Sequence, residues 1–170
     1  FENESDMNYF LDNICTSEWN VQQDAGRPLA EATEALQKEF PEHKKMIGYF
    51  YGRWEEMLGG VFEENVRVLK QLKQNYPLYG LTNWSGETIT TAYDKYDFFS
   101  YLDGIVVSGD EKLIKPDPKL YQILLDRYNL IASESLFIDD NIKNIAAAEK
   151  MGFQTIHFTE DMDLEKEVKK

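Results

Sequence analysis

Asp139 and Asp140 stand side by side at the end of a short apolar run, Leu136, Phe137 and Ile138. Two neighbouring carboxylates repel each other, so holding them together is costly unless a cation or a proton shares the site. Such a run suits a central parallel strand, with the acids just past its carboxyl end, the edge at which open α/β sheets bind ligands. Hard carboxylate oxygens, completed by water and phosphate, fit Mg2+ in an octahedral site with contacts of about 2.1 Å. Nothing in the stretch offers the imidazole or thiolate that would favour zinc. The alternative is that the two acids merely cap the helix starting near Ile142, a task for which one Asp would suffice.

Two further groups sit where strands should end. Thr82 and Asn83 follow the apolar Leu78 to Leu81, and a hydroxyl with adjoining backbone N–H groups can donate to a phosphoryl oxygen without adding charge. Taken alone, Thr-Asn is an ordinary turn sequence. Lys115 lies in LIKPDP (113–118), where Pro116 holds it extended and Pro118 starts the next helix, so a stiff loop presents the ammonium. A fixed cation there would offset repulsion between an anionic nucleophile and a phosphate. Lys112 has no such proline clamp and reads as surface.

The elements that must carry these groups fall into two parts. Residues 1–76 read as wholly helical. Ser5 can cap a first helix with Met7, Phe10, Leu11 and Ile14 on one face, and a polar, irregular stretch follows from Thr16 to Pro28. Pro28 suits the first position of a second helix, running to about Phe40. Pro41 restarts a third through Met57, Gly59-Gly60 breaks it, and a fourth runs from about Glu63 to Asn75. Four helices with short connections form a small bundle. From Pro77 onward strands at 78–83, 104–110, 136–139 and 155–158 alternate with helices, the pattern of right-handed crossovers and a Rossmann-like parallel sheet. The fold class is therefore α/β.

Of the 170 residues, 42% are hydrophobic and 29% charged, the balance of a soluble globular chain long enough for a core and a small insert. The net charge of −13 argues against nucleic acid and against anionic membranes as partners. It would also repel a phosphorylated substrate unless a local lysine or metal reverses the sign. No apolar run approaches the ~18 residues that span a bilayer, and no signal-peptide pattern opens the chain. Cys15 is alone, so no internal disulfide forms, and the expected setting is cytoplasmic. It reads as a small apolar helix residue.

LTNWS, GDEKLIKPDP and LFIDDN, in that order, resemble the second, third and fourth motifs of the haloacid dehalogenase-like (HAD) hydrolase superfamily. NIKNIAAAEKMGFQTIHF (141–158) is similar to that family's fourth-motif helix, with its small-residue face and terminal Gly. The whole chain looks closest to the bacterial sugar-phosphate phosphatases with a four-helix cap, 1–76 being the cap and 77–170 the core. The resemblance implies that Thr82 binds the transferred phosphoryl group and Lys115 orients the nucleophile. It further implies that Asp139 and Asp140 hold Mg2+, directly or through water, with Asn83 and Asn141 as supporting contacts. The implied partner is a small-molecule phosphate ester; the sequence leaves the oligomeric state open, with a monomer as the default.

One motif of that family has no counterpart in these residues: the apolar strand ending in a nucleophilic Asp. Asp161-Met162-Asp163 follows the last strand and reads as helix N-terminal acids instead. The strand's place would be central, so roughly 20 or more upstream residues are expected, and residues 1–170 alone should neither fold well nor turn over. Caps of this kind close over the site, which makes Trp19, Asn20, Asp24 and Arg27 the candidate substrate contacts. The other reading has Trp19 packed in the bundle and the rest as solvated loop. Two rivals remain, a 2-haloacid dehalogenase of the same fold, for which paired metal-binding acids have no purpose, and a non-catalytic binding protein that has lost the nucleophile.

Overall fold

The computed structural model describes Phe1 and residues 3–169. The helical part holds five α-helices, one more than its sequence pattern suggests. Helix α1 (Glu4–Asn13) is capped by Asn3 rather than Ser5, the Asp6 N–H donating to the Asn3 side chain at 2.9 Å. The stretch expected to be irregular is largely a helix, α2 (Ser17–Asp24). Thr16 caps it, accepting from the Trp19 N–H at 3.1 Å. Its polar composition conceals it, because only Trp19 and Gln23 turn inward. Helix α3 (Leu29–Glu39) begins one residue after Pro28, which stands at the cap position without a side-chain bond. Helix α4 (Lys44–Gly52) follows, and residues 54–57 form a separate 3₁₀ turn rather than prolonging it. Helix α5 (Glu63–Leu72) ends shorter than expected. Phe10, Ile14, Cys15, Trp19, Ala32, Leu36 and Ile47 form the apolar centre of this part. Cys15 sits in the turn after α1, and burial pushes its thiol up to about 12, so it stays protonated and inert.

The second part has the expected alternation. Strand β1 (Tyr79–Thr82) pairs in parallel with β2 (Gly104–Val107), Thr82 opposite Val107. Between them α6 (Ile89–Lys95) starts later than Ser85, because the Ser85 hydroxyl accepts from the Glu87 N–H at 3.3 Å and closes a turn first. A short α7 (Ser108–Glu111) precedes α8 (Pro118–Tyr128), which starts at Pro118 as expected and is capped by Asp117, accepting from the Lys119 N–H at 2.9 Å. Strand β3 (Leu136–Asp139) pairs in parallel with β4 (Gln154–His157), Asp139 opposite His157. Helix α9 (Ile142–Lys150) joins them and ends at Gly152, whose φ of +92° only glycine adopts without strain. Asp163 caps the final α10 (Leu164–Glu167), the role read for it from the sequence.

Two apolar clusters hold these layers together. Val106, Leu120 and Leu124 lie between β2 and α8, while Tyr121, Leu125, Phe137, Ile145, Ala148 and Phe153 join α8, β3, α9 and the turn into β4. Each fully buried aliphatic side chain contributes about 1.5–3 kcal/mol relative to exposure. The α/β architecture with parallel strands is what the chain adopts. Among the described residues β1 and β3 each have one hydrogen-bonded neighbour, so the strands form two pairs rather than one continuous sheet. No helix among them is long and apolar enough to cross a membrane.

Gly104 shows how closely β2 is packed. A Cβ there would fall on the ring of Tyr128, which stacks on Tyr79 with centroids 4.6 Å apart. Gly104→Ala should therefore destabilise the fold by about 1–3 kcal/mol in urea unfolding. Gly52→Ala, where an added Cβ meets nothing within 4 Å, should be near neutral in the same assay.

Candidate active site

The strand ends bring Thr82, Lys115 and Asp139 to one place. Thr82 is the last residue of β1, and Asn83 follows it. The Asn83 side chain does not point a free amide at a ligand. It accepts from the Lys115 N–H at 2.7 Å and donates to the Lys115 carbonyl at 3.0 Å. This two-point clamp, with the cis bond between Lys115 and Pro116, sets the loop from which the lysine projects. The Lys115 Nζ then donates to the Leu81 carbonyl and to Asp139 Oδ2, both at 2.7 Å. One ammonium thus ties the end of β1 to the end of β3.

Lys115 and Asp139 are buried together, their side chains 10% and 6% exposed. A buried carboxylate is tolerable only when its oxygens are satisfied, and here both are. Oδ2 takes the lysine, while Oδ1 accepts from the Asn141 N–H at 2.8 Å and from Asn144 Nδ2 at 2.9 Å. Asp140 differs. It is exposed, only its backbone carbonyl is engaged, by His157 at 2.9 Å, and its carboxylate pairs with no cation among the described residues. The adjacent acids are therefore split, one neutralised in the interior and one open to solvent. Asn141 caps α9, accepting from the Lys143 N–H at 2.9 Å, so capping belongs to Asn141 rather than to either acid.

Asn144 is a member of this group that the sequence reading missed. It is 5% exposed, holds Asp139 through Nδ2, and keeps its own Oδ1 buried without a partner. The Tyr121 hydroxyl donates to its backbone carbonyl at 3.0 Å, and burial pushes that phenol well above its ordinary range. The available signal was a polar residue on the inward face of α9, beside Ile145 and one turn before Ala148.

Of the four residues proposed to meet substrate from the helical part, the structure brings one to the strand-end loops. Asp24 ends α2, its carbonyl accepting from the Ser108 hydroxyl at 2.6 Å, and the Trp84 N–H donates to that same hydroxyl at 2.8 Å. The Asp24 carboxyl lies against the Ser85 N–H. Burial raises its pKa and this N–H lowers it, the burial effect being larger. Trp19 is 8% exposed and packs on Phe50 and Tyr51 at 5.4 and 5.3 Å, which is the bundle-packing reading. Asn20 accepts from the Tyr51 hydroxyl at 2.7 Å. Arg27 is bonded to Glu31 and Gln22 along the helices and not to the strand-end loops. Trp54 meets the Trp84 ring edge-on at 5.7 Å. The two parts are further joined where Glu87 accepts from the Leu29 N–H at 2.9 Å, capping α3 from outside.

The donor chemistry is compatible with a hard dication, since Asp140 offers an unpaired carboxylate and the neighbouring imidazole, that of His157, is engaged by the Asp140 backbone carbonyl. No group of three or more His, Cys, Asp or Glu residues among those described could hold a metal by itself. The acids present supply part of a coordination shell only.

Comparison with known proteins agrees with this architecture. A family model described as haloacid dehalogenase-like hydrolase matches residues 8–158. The chain is 28% identical over 131 residues to a D-ribitol-5-phosphate phosphatase of Bacteroides thetaiotaomicron, covering 67% of this chain and 63% of that protein. It is 29% identical over 96 residues to an (S)-2-haloacid dehalogenase of Burkholderia cepacia, covering 56% of this chain and 42% of that one. A HAD family enzyme from Bacteroides thetaiotaomicron, solved as a magnesium complex, superposes with a TM-score of 0.80 at 20% identity, over 99% of this chain and 88% of that one. This last likeness concerns the fold alone. The match across residues 8–158, together with parallel strands whose ends carry Thr82, Lys115 and Asp139-Asp140, makes this chain a member of the haloacid dehalogenase-like hydrolases.

Proposed function

We propose that the protein is a phosphatase that moves the phosphoryl group of a small phosphate monoester, such as a sugar phosphate, to an aspartate and then to water. The observation that carries this reading is the split of the acid pair, with Asp139 neutralised by Lys115 and Asp140 left unpaired in the open. Dehalogenation expels a halide and gives an unpaired acid at this point no task. The nucleophilic aspartate is proposed to lie on a strand outside residues 1–170, seated between β1 and β3, each of which has one bonded neighbour among the described residues.

In the first displacement the aspartate oxygen bonds to phosphorus as the ester oxygen departs and takes a proton. In the second, water bonds to phosphorus, inorganic phosphate leaves and the carboxylate is restored. Thr82 donates its hydroxyl to a phosphoryl oxygen. Lys115, fixed by Leu81 and Asp139, holds positive charge where the nucleophile and the phosphoryl group meet. Asp140 would hold Mg2+ directly, with Asp139 behind it. When bound, the cation offsets the charge of the phosphoryl oxygens.

A panel of phosphate esters, assayed on the full-length product with and without Mg2+, tests this. The expected result is phosphate release that EDTA abolishes and Mg2+ restores. Halide release from a 2-haloacid, unaffected by EDTA and without phosphatase turnover, would overturn the proposal in favour of the dehalogenase. Neither activity would favour a binding protein.

A further inference from the structure

We infer that Glu87 is a positioning residue: it caps α3 across the seam between the two parts and so holds the helical part against the strand-end loops. The latch follows from geometry alone, while its effect on turnover rests on the phosphatase reading above. It starts with an incomplete helix. Pro28 stands at the cap position of α3 and makes no side-chain bond, so the first turn has no cap of its own. The Leu29 N–H donates instead to Glu87 Oε1 at 2.9 Å, on a residue 58 positions later. A carboxylate is also the charge that a helix N-terminus favours. Moving the helical part away uncaps α3, so that helix is complete only while the seam is shut.

The second step is packing along the seam. An open pocket of about 330 Å³ lies there, with Leu29, Tyr51 and Trp54 on the helical side and Glu87, Thr88 and Thr91 on the other. The parts are therefore joined around it by discrete contacts rather than by a packed apolar layer. Lys95 Nζ reaches the Glu55 carbonyl at 3.4 Å, which is long for a hydrogen bond, and Trp54 meets Trp84 edge-on at 5.7 Å. Elsewhere on the seam the Ser108 hydroxyl donates to the Asp24 carbonyl at 2.6 Å. Ser108 is fully buried and also accepts from the Trp84 N–H, so it belongs to the strand-end loops as much as to the seam. Glu87 differs. It is exposed, and its carboxylate has no partner among the described residues other than Leu29, so that one bond serves the seam alone.

The third step is freedom to move. After the 3₁₀ turn at 54–57 the chain passes through Gly59 and Gly60 before entering α5. Both glycines are exposed, Gly60 has a φ of +116°, and a Cβ at either would meet nothing within 4 Å. Beyond them α5 is fastened to the second part, Arg67 pairing with Glu165 of α10 at 2.7 Å. Residues up to the 3₁₀ turn are thus linked to α5 through an unpacked pair of glycines, which suits a hinge. An exposed capping bond on one side and a glycine link on the other make Glu87 the fastening that release requires.

The test uses the full-length product carrying Thr88→Cys, a position that is 6% exposed and lines the seam pocket. The rate at which that thiol reacts with Ellman's reagent reads seam opening. Cys15, 3% exposed within the bundle, reads loss of the bundle fold in the same sample. Adding Glu87→Ala should speed the first reaction about fivefold, the contribution of one helix cap, and leave the second unchanged. Glu87→Gln keeps an acceptor oxygen and should restore part of the protection. With Thr88 in place and 4-nitrophenyl phosphate as substrate, Glu87→Ala should raise KM by up to about fivefold and change kcat by less than about twofold, since fewer molecules are closed. An unchanged rate at the Thr88→Cys thiol, or equal acceleration of both thiols, overturns the inference and leaves the phosphatase reading standing. Selective acceleration at Thr88→Cys, with no phosphate ester hydrolysed by the wild type, supports the latch and overturns the phosphatase reading.

Discussion

Lys115→Met should cost about 3–5 kcal/mol of stability and lower kcat by about 10²–10³-fold. The stability loss follows from what remains behind. Asp139 would keep its bonds from the Asn141 N–H and Asn144 Nδ2, but its charge would sit 6% exposed with no counter-ion. The substitution also unties β1 from β3, because the same ammonium donates to the Leu81 carbonyl and to Asp139. The activity loss has a separate origin, since the nucleophile and the phosphoryl group would face each other without the cation. A second substitution separates the two effects. Lys115→Met with Asp139→Asn removes the stranded charge and should recover much of the stability without recovering turnover. Urea unfolding and single-substrate kinetics on the same preparations decide it. A stability loss under about 1 kcal/mol in the single variant would mean that the pair does not fasten β1 to β3.

The residues of this site differ in how readily the sequence discloses them. Strand β3 and its acids were readable because a short apolar run ending in two carboxylates has few physical explanations. Lys115 was readable because the flanking prolines restrict the loop around it, although its partners, Leu81 and Asp139, are distant in sequence. Asn144 was not readable by the same means. Its role depends on the rotation of α9, which carries a polar side chain inward to a carboxylate five residues earlier. Asn83 shows the opposite error. It lies where a ligand contact is expected, but both ends of its amide are consumed by the Lys115 backbone.

The helical part misled for a reason of its own. Helix α2 has a polar sequence because it lies between the bundle and the strand-end loops, touching apolar neighbours through Trp19 and polar ones through Asp24. Periodicity registers a helix with one apolar face and overlooks one whose second face is a polar junction. Trp19 is a candidate substrate contact in sequence because it lies in the polar stretch joining two helices, and its packing against Phe50 and Tyr51 matches the alternative reading. Asp24, less conspicuous in sequence, is the residue that the end of α2 delivers to the Ser85 loop.

The two adjacent acids should respond differently to removal, and this contrast tests the account of the site most directly. Asp140→Ala removes an exposed carboxylate that pairs with no cation, so stability should change by no more than about 0.5 kcal/mol. Mg2+-dependent phosphate release should nevertheless fall to background, because the unpaired member of the acid pair is gone. Asp139→Ala removes the partner of Lys115 and the acceptor for Asn141 and Asn144, leaving a buried ammonium without a counter-ion and a buried amide without its acceptor. That variant should lose about 3–5 kcal/mol as well as activity. Titrating Mg2+ against each full-length variant by calorimetry adds a readout independent of turnover. Asp140→Ala should abolish the binding heat while the protein remains folded. Normal Mg2+ binding by Asp140→Ala, with binding lost only in a folded Asp139→Asn variant, would reverse the assignment and make the buried acid the metal ligand.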